Sequence, residues 1–181
     1  MLVFFDDILI YSRSWKDHVQ HVDRVLKLLQ EKQLYEKKSK CFFGVQEVEY
    51  LGHIVSHEGV KVDPNKIKSI KEWKVPTTIK QLLGFLGLTW YYRNFVKNYG
   101  RIASPLTTLL KKDAFSWSPE ATKAFEHLKE AMFLAPVLAT PYFTKTLIME
   151  CDTSGNGIGV VLVQEGRIVA FQSHPIKGNF L

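Results

Sequence analysis

Asp6 and Asp7 stand side by side in the apolar stretch Leu2-Val3-Phe4-Phe5-Asp6-Asp7-Ile8-Leu9-Ile10-Tyr11-Ser12. A carboxylate buried without a partner is costly and tends to neutralise rather than stay charged. Both flanks are rich in β-branched and aromatic residues, so the stretch reads as strand, turn, strand. A tight hairpin would project both acids from its tip. Carboxylates so placed suit a hard divalent cation with oxygen ligands, most naturally magnesium. The pair also fits a surface turn with two solvated acids, since Asp is a common turn residue.

The elements that would position this pair follow in order. Val19, Val22, Leu26 and Leu29 share one face of a helix over Trp15–Glu31, an amphipathic cover for a sheet. Cys41-Phe42-Phe43-Gly44 and Val48–Val55 read as short strands, His57-Glu58-Gly59 as a turn, and Val60–Val62 as the chain beyond it. Asp63-Pro64 marks a helix start, with residues 65–73 helical. Thr78 caps a helix on which Ile79, Leu82, Leu83, Leu86 and Trp90 share one face. Its other side carries Lys80, Gln81, Gly84, Gly87 and later Arg93 and Asn94. Each glycine weakens a helix by roughly 1 kcal/mol relative to Ala. Something must therefore come close here, either another helix or a ligand. Tyr91, Tyr92 and Phe95 read as core or half-buried aromatics. Ser104-Pro105 opens a short helix through Leu110, and Ser118-Pro119 opens one striped by Ala121, Ala124, Phe125, Leu128 and Met132. Pro136 and Pro141 mark a linker. Strands are expected at Thr146–Cys151, Ile158–Gln164 and Arg167–Ser173, with Asp152–Gly157 as a loop and Glu165-Gly166 as a hairpin turn.

Charge is unevenly spread along the chain. Residues 61–112 carry 11 basic and 2 acidic side chains, net +9, against −1 for residues 1–60 and −2 for residues 113–181. One basic segment between two near-neutral ones is the footprint of a polyanion contact, or else a solvated lysine-rich face. No run approaches the ~20 apolar residues of a membrane span. The N-terminus lacks the basic, apolar and cleavage regions of a secretory signal, so an intracellular location is expected, its compartment unspecified. Cys41 and Cys151 are too few for a disulfide framework. His53 and His57 are four apart on strand and loop rather than helix, which argues against a paired metal site.

Four ordered motifs resemble the reverse transcriptase region of gypsy-type long-terminal-repeat retrotransposons. Phe4-Phe5-Asp6-Asp7 is similar to the family's Tyr-x-Asp-Asp box, with Phe at the usual tyrosine. Tyr50-Leu51-Gly52-His53-Ile54-Val55-Ser56 is similar to the hairpin that grips the primer end. Gly84–Phe95 is similar to the thumb helix, and Cys151–Leu162 to the opening of the RNase H-like domain. The resemblance spans essentially the whole chain. It implies that Asp6 and Asp7 are two of three polymerase carboxylates holding two Mg2+ ions. Asp152 would be the first metal-binding carboxylate of an RNase H-like site. A template–primer duplex would lie on Tyr50, Leu51, Gly52, His53, Lys80, Gln81, Gly84, Gly87 and Arg93.

The expected fold is α+β. Residues 1–60 would be the C-terminal part of a palm, 61–112 a basic helical thumb, 113–145 a connecting helix and linker, and 146–181 the first three antiparallel strands of an RNase H-like domain. In the family the third polymerase carboxylate lies upstream of the box, and the remaining RNase H acids lie beyond the position of Leu181. Both active sites are therefore expected to be incomplete in these 181 residues. The expected function is that of a piece of a retrotransposon polyprotein without polymerase activity alone. The alternative is a retained, non-catalytic nucleic-acid-binding or scaffold protein.

Overall fold

The apolar flanks of the acidic pair form the hairpin expected of them. Strands β1 (Leu2–Phe4) and β2 (Asp7–Leu9) pair antiparallel with Phe4 opposite Asp7. Phe5, at a φ of 51°, makes the turn with Asp6. Helix α1 (Trp15–Glu31) starts at Ser14, whose hydroxyl accepts from the Asp17 N–H at 3.1 Å. Strand β3 (Glu47–Tyr50) follows. The computed structural model describes residues 1–154 and 157–175. These divide into two units, Met1–Tyr50 and Leu51–Leu181.

Two expectations for the first unit are corrected. Helix α1 has no buried residue, and Val19 and Leu26 are exposed, so it is not the cover of a sheet. A two-stranded hairpin offers too little apolar surface to bury a long helix. Cys41–Gly44 is not a strand. A 3-10 turn at Lys38–Lys40 precedes it, and Gly44 takes a φ of 62° beneath the Trp15 ring. That left-handed residue ends any extended run, and Phe42 and Phe43 stay exposed.

The second unit holds the core. Strands β4 (His53–Ser56) and β5 (Gly59–Val62) form a hairpin with His53 opposite Val62. Helix α2 (Pro64–Lys71) is capped by Asp63, and α3 (Ile79–Tyr91) by Thr78. Helix α4 (Tyr99–Thr108) and α5 (Pro119–Phe133), the latter capped by Ser118, complete the helical part. The α5 stripe of Ala121, Ala124, Phe125, Leu128 and Met132 is buried as its spacing predicts. It packs with Ile70 of α2, Leu82 and Phe85 of α3, and Leu106 of α4. Among the described residues no helix is long and apolar enough to cross a membrane.

Here too the structure corrects the sequence reading. The buried face of α3 is Leu82, Phe85, Leu86 and Thr89, while Ile79, Leu83 and Trp90 are exposed. The apolar residues run around more than one face of this helix, so their spacing alone leaves the rotation open. Helix α4 begins at Tyr99, not at Ser104-Pro105. Asn98 takes a left-handed φ of 59° ahead of it, and Pro105 lies inside the helix. Proline there supplies no N–H to the preceding turn. The Thr107 and Thr108 hydroxyls donate to the Ser104 carbonyl at 2.9 and 3.0 Å.

Strands β6 (Ile148–Ser154), β7 (Gly157–Gln164) and β8 (Arg167–Pro175) form an antiparallel sheet in that order. The expected turn at Glu165-Gly166 is present, with φ of 51° and 75°. Asp152, Thr153 and Gly157 belong to strands rather than a loop, because pairing of Asp152 with Gly159 and Thr153 with Ile158 continues the ladder. Gly155 and Asn156, read as part of that loop, lie outside the described residues. Buried Gln164 holds the preceding segment: its Oε1 accepts from the Tyr142 N–H at 2.8 Å and its Nε2 donates to the Tyr142 carbonyl at 2.9 Å. Val60 and Leu138 exchange two backbone hydrogen bonds of 2.8 Å, tying β5 to the chain after α5.

Candidate nucleic-acid interface

Leu51 and Gly52 connect β3 to β4 with φ of 50° and 71°. A left-handed backbone is unremarkable for glycine but costs a residue with a Cβ roughly 1–2 kcal/mol. Both carbonyls of this turn are captured at the end of α3, by its last residue and the one after it. The Tyr91 phenol donates to the Leu51 carbonyl and the Tyr92 phenol to the Gly52 carbonyl, each at 2.7 Å. A Cβ at Gly52 would stand 3.0 Å from the Tyr92 Oη, so contact here is close as well as left-handed. His53 Nδ1 lies 2.9 Å from the Leu51 carbonyl, which can only accept, so Nδ1 carries the proton. The imidazole is ringed by Tyr91, Tyr92 and Phe95, with centroids 5.3, 5.3 and 5.6 Å away. Burial holds its pKa below the ordinary value, and the Leu51 carbonyl opposes that shift.

The same helix turns a second face outward. Lys80, Gly84, Gly87 and Tyr91 follow one another at helical spacing, and all are exposed. A Cβ at Gly84 would meet only the Trp73 ring, at an ordinary 3.5 Å, and one at Gly87 would meet nothing within 4 Å. Helix packing among the described residues therefore does not demand glycine at 87. Trp90 is 57% and Tyr91 48% exposed. The Arg93 guanidinium lies 3.8 Å from the Trp90 ring centroid and donates to the Trp90 carbonyl at 3.2 Å. Gln81 is exposed, with its Oε1 accepting from the Thr77 N–H at 2.8 Å, so it also closes the start of α3.

The structure thus brings Leu51, Gly52 and His53 together with the end of α3, and it aligns Lys80, Gly84 and Gly87 on one face. Tyr50 is the half-buried last residue of β3. Tyr92 is core and Tyr91 half exposed, in keeping with the reading of both as core or half-buried aromatics, whereas Trp90, whose spacing sets it on one face with Leu82 and Leu86, turns outward. Placing Thr89 rather than Trp90 on the inner face would have put Trp90 outside. No sequence signal specifies which carbonyl a phenol meets.

The acids stand apart from these residues in character. Asp6 sits in the β1–β2 turn and Asp7 at the first position of β2, both exposed. Asp152 is exposed and lines a cleft of about 220 Å³ with Lys97, Asn98, Glu150, Gly159 and Gln172. Among the described residues no three His, Cys, Asp or Glu gather into a group that could hold a metal ion.

Residues 1–55 match the family model described as reverse transcriptase (RNA-dependent DNA polymerase). Residues 117–179 match that of the RNase H-like domain found in reverse transcriptase. The chain is similar to the retrovirus-related Pol polyprotein from transposon 297 of Drosophila melanogaster, 38% identical over 182 residues. That match covers 99% of this chain and 17% of the polyprotein. The Pol polyprotein from transposon gypsy of the same organism is also 38% identical, over 97% of this chain and 18% of its own length. The chain therefore spans under a fifth of these relatives. An uncharacterized mitochondrial protein of Arabidopsis thaliana is 47% identical over 68% of this chain and 79% of its own length. The fold is similar to that of the foamy viral protease-reverse transcriptase solved in complex with RNA/DNA hybrid. There the TM-score is 0.84 at 24% identity, covering 92% of this chain and 24% of that one. The structure of its dRH form in complex with double-stranded DNA gives the same TM-score, covering 30% of that chain.

Proposed function

The chain belongs to the reverse transcriptases of gypsy-type long-terminal-repeat retrotransposons, and we propose that it grips a template–primer duplex along the outer face of α3, with the Leu51–His53 turn beside the primer end. On this reading residues 1–60 are the C-terminal part of the palm and 61–112 the thumb. Residues 113–145 connect to the opening strands of the RNase H-like domain, 146–181.

One observation carries the proposal. The glycine-lined face of α3 is exposed, flanked by Trp90 and Tyr91 and set in the most basic segment of the chain. Bare glycine backbone lets a sugar edge approach the helix. Lys80 and Arg93 would contact phosphates, which position a duplex without reading its sequence, as a polymerase requires. Stacked on Trp90, Arg93 presents a planar donor fork of the kind suited to phosphate. The solved foamy viral relatives bound to DNA and to RNA/DNA hybrid support the same class of partner.

Asp6 and Asp7 would hold magnesium, and Asp152 would do so in the RNase H-like part. Their exposed carboxylates fit a hard cation in kind. When bound, such ions stabilise the attacking and leaving oxygens of phosphoryl transfer. As the resemblance implies, we read the 181-residue chain by itself as a duplex binder that does not extend a primer.

The test is fluorescence anisotropy with a labelled RNA/DNA hybrid across a salt series. Log affinity should fall linearly with log salt, at a slope of about −0.9 per neutralised phosphate for B-form DNA and similar here. Salt-independent binding, or none, refutes the interface. Nucleotide incorporation by the isolated chain with magnesium refutes the non-extending reading.

A second reading has one observation in its favour. The Arabidopsis relative is spanned over 79% of its length by this chain, so a protein of similar extent exists outside a full Pol polyprotein. On this second reading the chain is a retained, non-catalytic nucleic-acid-binding or scaffold protein. Joining the chain to the upstream part of a Pol polyprotein separates the two readings: restored extension favours a polymerase piece, and binding without extension favours the retained binder.

A further inference from the structure

We propose that Tyr91 is a positioning residue for the duplex, a latch that holds the Leu51–Gly52 turn in register with the outer face of α3; this rests on the duplex-gripping reading above. Three donors converge on two carbonyls of that turn. Leu51 accepts from the Tyr91 Oη at 2.7 Å and His53 Nδ1 at 2.9 Å, and Gly52 accepts from the Tyr92 Oη at 2.7 Å. Leu51 is held at a φ of 50°, which a leucine leaves readily unless its surroundings hold it there. The surroundings are these phenols.

The two tyrosines do different work. Tyr92 is buried at 1% exposure and belongs to the core. Tyr91 is half exposed, yet its phenol reaches across to the turn. It therefore belongs to two surfaces at once. Its ring is part of the face that carries Gly87 and Trp90, and its hydroxyl fixes the backbone of the turn. A duplex lying on both would meet them at a spacing set by this one side chain. Because water can replace the Tyr91 hydroxyl at an exposed carbonyl, the fold does not depend on it. The placement of the turn does.

Tyr91→Phe isolates the hydroxyl and keeps the ring. Removing one neutral hydrogen bond of this type corresponds to roughly a two- to tenfold change in an equilibrium. The expected result with a labelled RNA/DNA hybrid is a two- to tenfold weaker complex, an unchanged salt slope and an unchanged thermal melt. His53→Gln removes the other donor to the same carbonyl, so the double variant should lose less than the product of the two single losses. Wild-type affinity in Tyr91→Phe overturns the latch, as does a fully multiplicative double variant. Arg93→Gln serves as the companion measurement. If it weakens binding while Tyr91→Phe does not, the latch fails and the interface stands. If the unsubstituted chain does not bind the hybrid, the interface fails and the latch fails with it.

Discussion

Gly59→Ala is the sharpest single test of how the turn-bearing hairpin is anchored. Gly59 opens β5 at a φ of 135°, a conformation essentially confined to glycine. A Cβ built there would lie 2.0 Å from the Leu138 carbonyl oxygen and 3.0 Å from its carbon. Both are backbone atoms, so no rotamer change relieves the clash. The strand must withdraw from Leu138. The two Val60–Leu138 hydrogen bonds of 2.8 Å then break. These contribute roughly 0.5–1.5 kcal/mol each, and the forced backbone adds of order 1–3 kcal/mol. The expected destabilisation is about 4 kcal/mol. Gly166→Ala is the matched control. It also sits at positive φ, 75°, but a Cβ there meets nothing within 4 Å, so only the conformational cost of roughly 1–2 kcal/mol applies. Urea unfolding followed by tryptophan fluorescence measures both, since Trp73, Trp90 and Trp117 lie in the second unit. Equal effects of the two substitutions, or a Gly59→Ala cost below about 1 kcal/mol, would refute the anchoring argument.

Three further outcomes follow from the same packing. Phe125→Ala empties the centre of the core, where Phe125 is fully buried 4.5 Å from the Phe85 ring, and should cost roughly 3–5 kcal/mol in urea unfolding. Gln164→Leu leaves the Tyr142 N–H and carbonyl without their partner and should cost roughly 2–3 kcal/mol. It should also speed amide exchange at Tyr142, and unchanged exchange would argue against Gln164 holding that segment. His53 binds its proton more weakly in the fold than at its ordinary pKa of 6.5, because burial disfavours the charge more than the Leu51 carbonyl favours it. The unfolded chain therefore takes up protons first. The stability His53 contributes is full above that value and is lost as pH falls from it through the lower folded one. A pH series of urea midpoints should show this loss, and His53→Gln should flatten it.

Local physics was legible in the residues themselves. Thr78, Asp63-Pro64 and Ser118-Pro119 each start a helix where their side chains can accept from the first turn. The α5 stripe is buried because its apolar residues occupy a single face. The acidic hairpin and the Glu165-Gly166 turn follow from flanking strand formers and turn residues. The ordered motifs were also enough to place the chain among the reverse transcriptases.

Where local preference was balanced, tertiary contact decided. Helix α3 is apolar on more than one face, and only packing selects the inside: Phe85 lies 4.5 Å from the Phe125 ring of α5 and the Thr89 hydroxyl 3.0 Å from the Tyr99 hydroxyl of α4, which leaves Trp90 outside. Asp152 has weak strand propensity, yet pairing with Gly159 extends β6 through it. Cys41–Gly44 has the composition of a strand but pairs with no strand among the described residues and stays irregular. Sequence by itself singled out Asp6, Asp7 and Asp152 as candidates for chemistry, because residue type sets the available ligands and charges. Which of the other residues form one surface was a matter for the fold. The Leu51–Gly52 carbonyls meet Tyr91 and Tyr92 across 40 residues of chain, and a contact at that separation depends on the packing of everything between.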